Sequence, residues 1–440
     1  MVKIVHVLNS FLPNHIAGTE VYVHSLCKEL NQHSLILKML IPNYKKPHSS
    51  NYTFDDLNVH QFAEPSIVDR NLIMGFRKPD GLKSFIEYLD AEKPEIVHFH
   101  EIAGSNGITL HHVVEAKKRG AKILFTFHLA GLSCMTGTLY QNGESLCSGK
   151  IELEKCTECY LHSKGLKKRT IKLLSFLSRS LYCLGINPTK LSNTVSTALG
   201  TVHLVEKKQT DLFTLIRYCD KVVVLTQWYK KLLVSNGVAG DKIVFIPQAL
   251  PVVTKSAEHI KQLSNKIKFL FIGRISHFKG VHLLIEAFLQ LDQSRAELHI
   301  YGQSDGTLYE QDLRQQTKSF DSIYWHGILE NNKVVSTMSE YNALCLCSTI
   351  TEMSPLVIQE AFAAGLPVIA SNVYGNAEQI THGINGLLFN FNDPQDLLKQ
   401  LRRCLDEKDL LQSVSKNIKP PRSFDEVGKD HMNLYKSLLN

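Results

Sequence analysis

Residues 351–371, TEMSPLVIQEAFAAGLPVIAS, read as a loop, a short helix and a buried strand, and that order decides the fold. Glu352 falls in the loop and Glu360 inside the helix, with seven residues between them. Ser354 suits an N-cap and Pro355 the first helical position, where a missing N–H costs nothing. The N–H groups of Leu356 and Val357 then point out of a positive helix end, a cradle for a diphosphate. Glu360 lies about one and a half turns further on, where it can accept hydrogen bonds from a ribose. Ala361, Ala363, Ala364 and Gly365 keep the helix slim enough to pack closely between layers. Residues 366–371, LPVIAS, are short and apolar, as expected of a buried strand. Two glutamates at this spacing usually mean no more than an amphipathic helix, and it is the flanking residues that favour a site.

A second candidate lies upstream, in residues 267–288, IKFLFIGRISHFKGVHLLIEAF. Ile267 to Ile272 reads as a strand, Gly273 as a turn, and Val281 onward as a helix. Arg274 and Lys279 sit on the loop at the strand's carboxyl end, the edge where open α/β sheets bind ligands. Two cations there can neutralise a departing diphosphate, Arg as a planar fork and Lys as a point charge. The N-terminal part repeats the rhythm. A strand from residue 3 leads into a helix opened by Gly18-Thr19-Glu20, with Val21, Val23, Leu26 and Leu30 as its apolar stripe. Two later strands end in His100-Glu101 and in His128. A lone strand-end histidine is usually structural, but here two fall at the edge where an α/β site would lie.

Together these segments resemble the retaining glycosyltransferases of family 4, the group 1 glycosyltransferases of GT-B fold. The resemblance is strong over 267–398 and patchy before 250. It implies an α/β protein of two Rossmann-like domains facing a central cleft, with a C-terminal helix crossing back to the first domain. By the same resemblance Glu352 contacts the transferred sugar, Glu360 the ribose, and Arg274 and Lys279 the diphosphate. Gly18, Gly273, Ser354, Leu356 and Val357 complete the donor side. His128 lies near the reacting sugar, and Thr19, Glu20 and His100 lie on the acceptor side. The chain departs from the family where Met353-Ser354-Pro355 replaces small glycines, where Ala17-Gly18 replaces two glycines, and where residues 246–249, IPQA, replace Pro-Asn-Gly.

The domains expected are residues 1–253, an acceptor-binding unit joined by a helix over 423–440, and 266–420, a nucleotide-sugar unit. The polar stretch 254–266 reads as their linker. A chain of 440 residues with 44% apolar content suffices for two cores. Strands are expected near 3–8, 34–40, 95–99, 122–127, 221–225 and 243–246, then near 267–272, 297–301, 322–326, 343–347 and 366–370. The chain begins with a strand pattern and contains no apolar run of about 18 residues, so neither a signal peptide nor a membrane span is expected. The net charge of +7 fits anionic substrates or a membrane surface, and no recognition motif for nucleic acid accompanies it.

The least family-like part is an insertion over 131–165. Cys134, Cys147, Cys156 and Cys159 are separated by 12, 8 and 2 residues, a set that can close a tetrahedral zinc site with His162 as a spare ligand. Structural zinc is favoured over free thiols, an iron–sulfur cluster or disulfides. The segment after it interleaves Lys164, Lys167, Lys168, Arg169, Lys172 and Arg179 with Ile171, Leu173, Phe176 and Leu177. It reads either as a surface helix or as a face for an anionic bilayer.

These readings predict a retaining transferase that moves a sugar from a UDP-, GDP- or ADP-linked donor to a hydroxyl of a glycan or lipid-linked acceptor. The alternatives are an epimerase or hydrolase of the same fold, or a non-catalytic sugar-nucleotide-binding scaffold. No Asp-x-Asp motif occurs, so no catalytic metal is expected at the diphosphate. The expected location is the cytoplasm, either free or peripheral on the inner face of the cytoplasmic membrane.

Overall fold

The structure, a computed structural model, describes residues 1–250, 266–304 and 306–440. The expected linker lies outside the described residues except for Lys266. Two compact units emerge, one of residues 1–247 with 424–440 and one of residues 248–423.

The first unit has ten strands: β1 Val2–Val7, β2 Leu35–Tyr44, β3 Ser50–Phe54, β4 Leu57–Glu64, β5 Ile96–Phe99, β6 Lys122–Phe127, β7 Tyr140–Gln141, β8 Ser145–Leu146, β9 Lys221–Val224 and β10 Ile243–Phe245. Eight form one sheet in the order β10-β9-β6-β5-β1-β2-β4-β3. Its neighbours run parallel except β3 and β4, which form an antiparallel edge hairpin. The four residues of β5 are all buried, and so are the last five of β6. Strands covered on both faces need such unbroken apolar runs. The sequence expectation lacked β3 and β4. They are half exposed and alternate polar with apolar residues, and they meet at Asp55-Asp56, both with positive φ, as a tight hairpin turn requires.

The last helix, Phe424–Leu439, belongs to this first unit, in keeping with the fold expected from the resemblance. It buries Val427, His431, Leu434 and Tyr435, and Tyr435 Oη lies 2.8 Å from Nδ1 of His98 on β5.

The second unit carries β11 Ile267–Ile272, β12 Ala296–Tyr301, β13 Ile323–Gly327, β14 Ala343–Leu346, β15 Val368–Ser371 and β16 Gly386–Phe389. All neighbours run parallel, in the order β13-β12-β11-β14-β15-β16. Side chains of β11 alternate between two cores. Phe269 and Phe271 join Leu298 and Ile300 on one face, and Leu270 joins Leu344 and Val368 on the other. The sixth strand, β16, at the sheet edge, was not expected.

Numbered from β11, the order is 3-2-1-4-5-6, the doubly wound arrangement. In both sheets the first strand is central, and the chain builds to one side before crossing to the other. The crossings fall between β1 and β5 and between β11 and β14. A crevice opens outside the carboxyl ends of such strand pairs, since the following loops diverge to opposite faces. The fold alone therefore points to the loops after β1, β5, β11 and β14.

Candidate active site

In the second unit, the loop after β11 runs through Gly273 and Arg274 into a 3-10 turn, His277–Lys279, and then the helix Val281–Phe288. The loop after β14 carries Glu352. These two loops meet in an ion pair, with Lys279 Nζ 2.5 Å from Glu352 Oε1. Ser348 Oγ donates to the same oxygen at 2.7 Å. Thr349 binds back as well, its N–H donating to Phe278 O at 2.9 Å and its hydroxyl to His277 O at 3.0 Å. Two glycines allow this closeness. Gly280 has φ +68°, and a Cβ there would overlap the Cys347 carbonyl oxygen. A Cβ at Gly375 would overlap the carbonyl oxygen of Glu352 itself. Arg274 is exposed and has no hydrogen bond or ion pair among the described residues.

The helix with the second glutamate is Leu356–Ala363, one residue later than expected. Pro355 is its N-cap, with ψ 123°, and Ser354 lies outside. A residue that enters a helix must be extended, and proline's fixed φ of −67° tolerates an extended ψ as well as a helical one. The correction leaves the N–H groups of Leu356 and Val357 at the first two helical positions, where no helical carbonyl reaches them. Glu360 is partly buried on this helix with no ion pair among the described residues. Burial pushes its carboxyl up to about 7. A carboxylate held out of water without a partner is an acceptor in search of donors.

In the first unit, the edge residues form one network. His6 Nδ1 is 3.0 Å from His100 Nε2, and His100 Nδ1 is 3.2 Å from His128 Nε2. Burial lowers all three, His6 and His128 to about 3. They are therefore neutral near pH 7, each with one ring proton, so the chain of bonds runs in one of two directions. His100 is enclosed, with both nitrogens engaged, and its ring lines the pocket beside His128. Glu20 is enclosed too, accepting from Ser10 Oγ at 2.7 Å and facing His15 Nδ1 at 2.8 Å. Thr19 sends its hydroxyl to Glu101, whose carboxyl is raised by burial and then by the charge on Glu20. Gly18 opens the helix Gly18–Leu30 behind Ala17.

Beside this network lies a pocket of about 910 Å³, lined by Glu101, His128, Met135, Tyr160, Lys208 and Asn9 among others. Lys208, Asn9 and Glu101 were not among the expected site residues. Lys208 is a largely buried cation whose Nζ donates to Gly131 O at 2.6 Å. It stands where the buried stripe Thr201, Val205, Leu212, Leu215 calls for an apolar side chain, and that break in period is a legible signal. Asn9 ties three segments, accepting from Ile108 N–H and Tyr44 Oη and donating to Glu101. Its only mark in the sequence is its place just after a strand.

The four cysteines of the insertion surround a small cavity between β7–β8 and the helix Leu153–His162. Burial, then charge on its three neighbouring thiols, pushes Cys156 up to about 11. The basic segment forms the helix Lys168–Cys183. It buries Ile171, Ser175 and Ser178, while Leu173 and Phe176 are 58% and 67% exposed. No helix among the described residues is long and apolar enough to cross a membrane.

The loops after β11 and β14 and the unpartnered Glu360 all fall within one stretch that has known relatives. Residues 254–420 match the family model of glycosyl transferases, group 1. An uncharacterised glycosyltransferase of Methanocaldococcus jannaschii is 28% identical over 172 residues, which cover 38% of this chain and 44% of the relative. The chain spans about half the length of the curated relatives it matches. Among solved structures, sucrose-phosphate synthase from Thermosynechococcus elongatus superposes with a TM-score of 0.65 at 16% identity, covering 100% of this chain and 99% of that one. Anabaena HepE in complex with UDP gives 0.63 at 13% identity, covering 99% and 100%. At such identities the likeness establishes the fold, which is GT-B, as the resemblance implied.

The buried histidines set a pH dependence. His6, His112 and His128 are held at about 3 when folded, against 6.5 in the unfolded chain. Between these values the unfolded chain binds more protons, so stability is full above about pH 6.5 and falls as pH drops, by up to about 1.4 kcal/mol per pH unit for each histidine. Trp228 lies in the first unit and Trp325 in the second, so a Trp325→Phe variant reports on the first alone. Its urea midpoint is expected to fall steeply from pH 7.5 to 5; equal midpoints would contradict the burial of neutral histidines.

Proposed function

We propose that this chain is a retaining glycosyltransferase that moves a sugar from a nucleoside diphosphate donor to a hydroxyl of a glycan or lipid-linked glycan. The observation that carries the reading is the Lys279–Glu352 pair across the β11/β14 crossing, with Glu360 and the free N–H groups of Leu356 and Val357 on the next helix. Each feature suits one part of a sugar nucleotide. The diphosphate takes the cations Arg274 and Lys279 and the positive helix end. The two hydroxyls of a ribose satisfy Glu360. Glu352 remains for the sugar once a diphosphate competes for Lys279. Anabaena HepE, of the same fold, has been solved in complex with UDP, and this supports nucleotide binding here by analogy of fold only.

In the proposed step the bond between the sugar's anomeric carbon and the diphosphate oxygen breaks. A bond to the acceptor oxygen forms on the same face. The acceptor's proton passes to a phosphate oxygen of the leaving group, so charge and atoms balance. Charge builds on the diphosphate as the bond stretches, and cations fixed beforehand at that point stabilise the transition state more than the ground state. Neutral and lining the first unit's pocket, His128 is suited to donate or accept one hydrogen bond to a ligand there, its direction set through His100.

The direct test supplies UDP-, GDP- and ADP-sugars with free and lipid-linked glycan acceptors. Transfer with retained anomeric configuration is expected, and it should survive EDTA in a short assay. Donor consumption without acceptor would favour the hydrolase or epimerase reading, and binding without consumption the scaffold. Arg274→Ala and Lys279→Ala should each cut turnover by about 10²- to 10³-fold, the usual scale for a lost transition-state charge contact. Near-normal turnover in both would remove the phosphate clamp.

Glu360 supplies a binding prediction. The ionised carboxylate is the better ribose acceptor, so affinity for whichever nucleoside diphosphate binds should weaken as pH falls through about 7. Glu360→Gln should bind about 10- to 100-fold more weakly at pH 8, as expected for lost hydrogen bonds to a charged group. It should also lose that part of the pH dependence, while titration of the phosphates is common to both proteins. Equal affinities would dismiss Glu360 as the ribose ligand.

A further inference from the structure

The four-cysteine insertion has no part in the donor site, and its construction is unusual. Strands β7 and β8 pair over only two residues each. A two-stranded hairpin is marginal in water even when longer. This one also contains Leu139 and Asn142 in the left-handed region, with φ of +53° and +54°. Buried Leu139 gains nothing from that conformation, which costs a side-chain-bearing residue about 1–2 kcal/mol. Something must hold the hairpin against the helix Leu153–His162, which itself buries only Thr157 and Leu161.

The cysteines occupy the junction. Cys134 precedes the hairpin, Cys147 follows it, and Cys156 and Cys159 share one face of the helix at i and i+3. All four line a single cavity of about 20 Å³, which holds about one water-sized sphere. Backbone N–H groups point at three of the sulfurs: Gly149 N at Cys147, Asn142 N at Cys159 and Glu152 N at Cys156, at 3.5, 3.4 and 3.4 Å. Such donors stabilise thiolates bound to a metal. Lys150 and Lys155 line the same cavity and offset the negative charge of a tetrathiolate.

We propose that Cys134, Cys147, Cys156 and Cys159 bind one zinc ion that clamps the β7–β8 hairpin to the helix Leu153–His162 and so fixes one wall of the first unit's pocket. The wall residues adjoin the ligands in sequence, Met135 beside Cys134 and Tyr160 beside Cys159, and both line that pocket. Four thiols release their protons to solvent as the ion enters. The contact of Cys159 Sγ with Tyr140 O at 3.2 Å is given up, and the sulfurs draw inward by side-chain rotation, since no three of them lie within 4.8 Å of one another. Among the described residues His6, His98 and His100 form a tighter group, but five of their six ring nitrogens are already hydrogen-bonded, which leaves His6 Nε2 alone to offer. His6 Nδ1 binds His100, and His98 binds Tyr435 and Thr126.

Elemental analysis of full-length protein purified without chelators tests this directly. About one zinc per chain is expected from tetrahedral four-ligand stoichiometry. Cys147→Ser and Cys156→Ser should each lose most of it. Where those variants fold poorly, cobalt substitution of the wild-type protein gives the answer, with thiolate-to-cobalt charge transfer and tetrahedral visible bands expected. Chelation should open residues 131–165 to proteolysis and leave the rest of the chain resistant. Absence of zinc, iron with acid-labile sulfide in its place, zinc retained in both variants, cobalt spectra without thiolate bands, or unchanged proteolysis would each overturn the proposal.

Discussion

The ion pair between Lys279 and Glu352 is the contact on which the donor-site reading depends. It joins the loops after β11 and β14, the two central strands from which the chain departs in opposite directions. The sheet order creates a crevice there, and the loops would diverge without a tie. Gly280 and Gly375 let the backbones approach closely enough for the tie to form, and Ser348 fixes the carboxylate's orientation. A cation and an anion held at a partly exposed edge add little to stability. Their value is positional: the pair holds Lys279 and Glu352 at the crevice, where the proposed diphosphate would compete for Lys279.

The two units solve the same topological problem with different chemistry. In the second, the edge is charged and open, with Arg274 exposed and Glu360 held near neutrality's edge by burial. In the first, the histidines at the edge are buried and neutral. His6, His100 and His128 bond in series, and their burial keeps them uncharged. A neutral relay can reorient its protons without moving charge through the core. A buried ionised histidine would instead need a partner that the core lacks. The cost is stability at low pH.

Much of this was legible in the sequence, for identifiable reasons. Buried parallel strands such as β5, β6 and β11 write unbroken apolar runs, and the helix after Glu352 follows from its proline and slim face. Strands at the edges write weaker patterns. β3 and β4 alternate with polar residues, β16 lies at the edge of its sheet, and none of the three was expected. Lys279 and Glu352 were each expected in a site, but their direct bond was not, since 73 positions separate them and only the sheet order brings them together. The enclosure of Glu20 and His100 was equally hidden. It depends on Ser10, His15 and His6, which a linear reading has no cause to connect. The pocket cation Lys208 could have been found, because it breaks the apolar period of its own helix.

The measurement that bears most directly on the central claim is a crystal structure of the chain with a bound nucleoside diphosphate. The account predicts the diphosphate against Arg274, Lys279 and the N–H groups of Leu356 and Val357, with the ribose hydroxyls on Glu360 and the Lys279–Glu352 bond lengthened or broken. A nucleotide seated in the first unit's pocket beside Lys208, with the Lys279–Glu352 pair undisturbed, would contradict it.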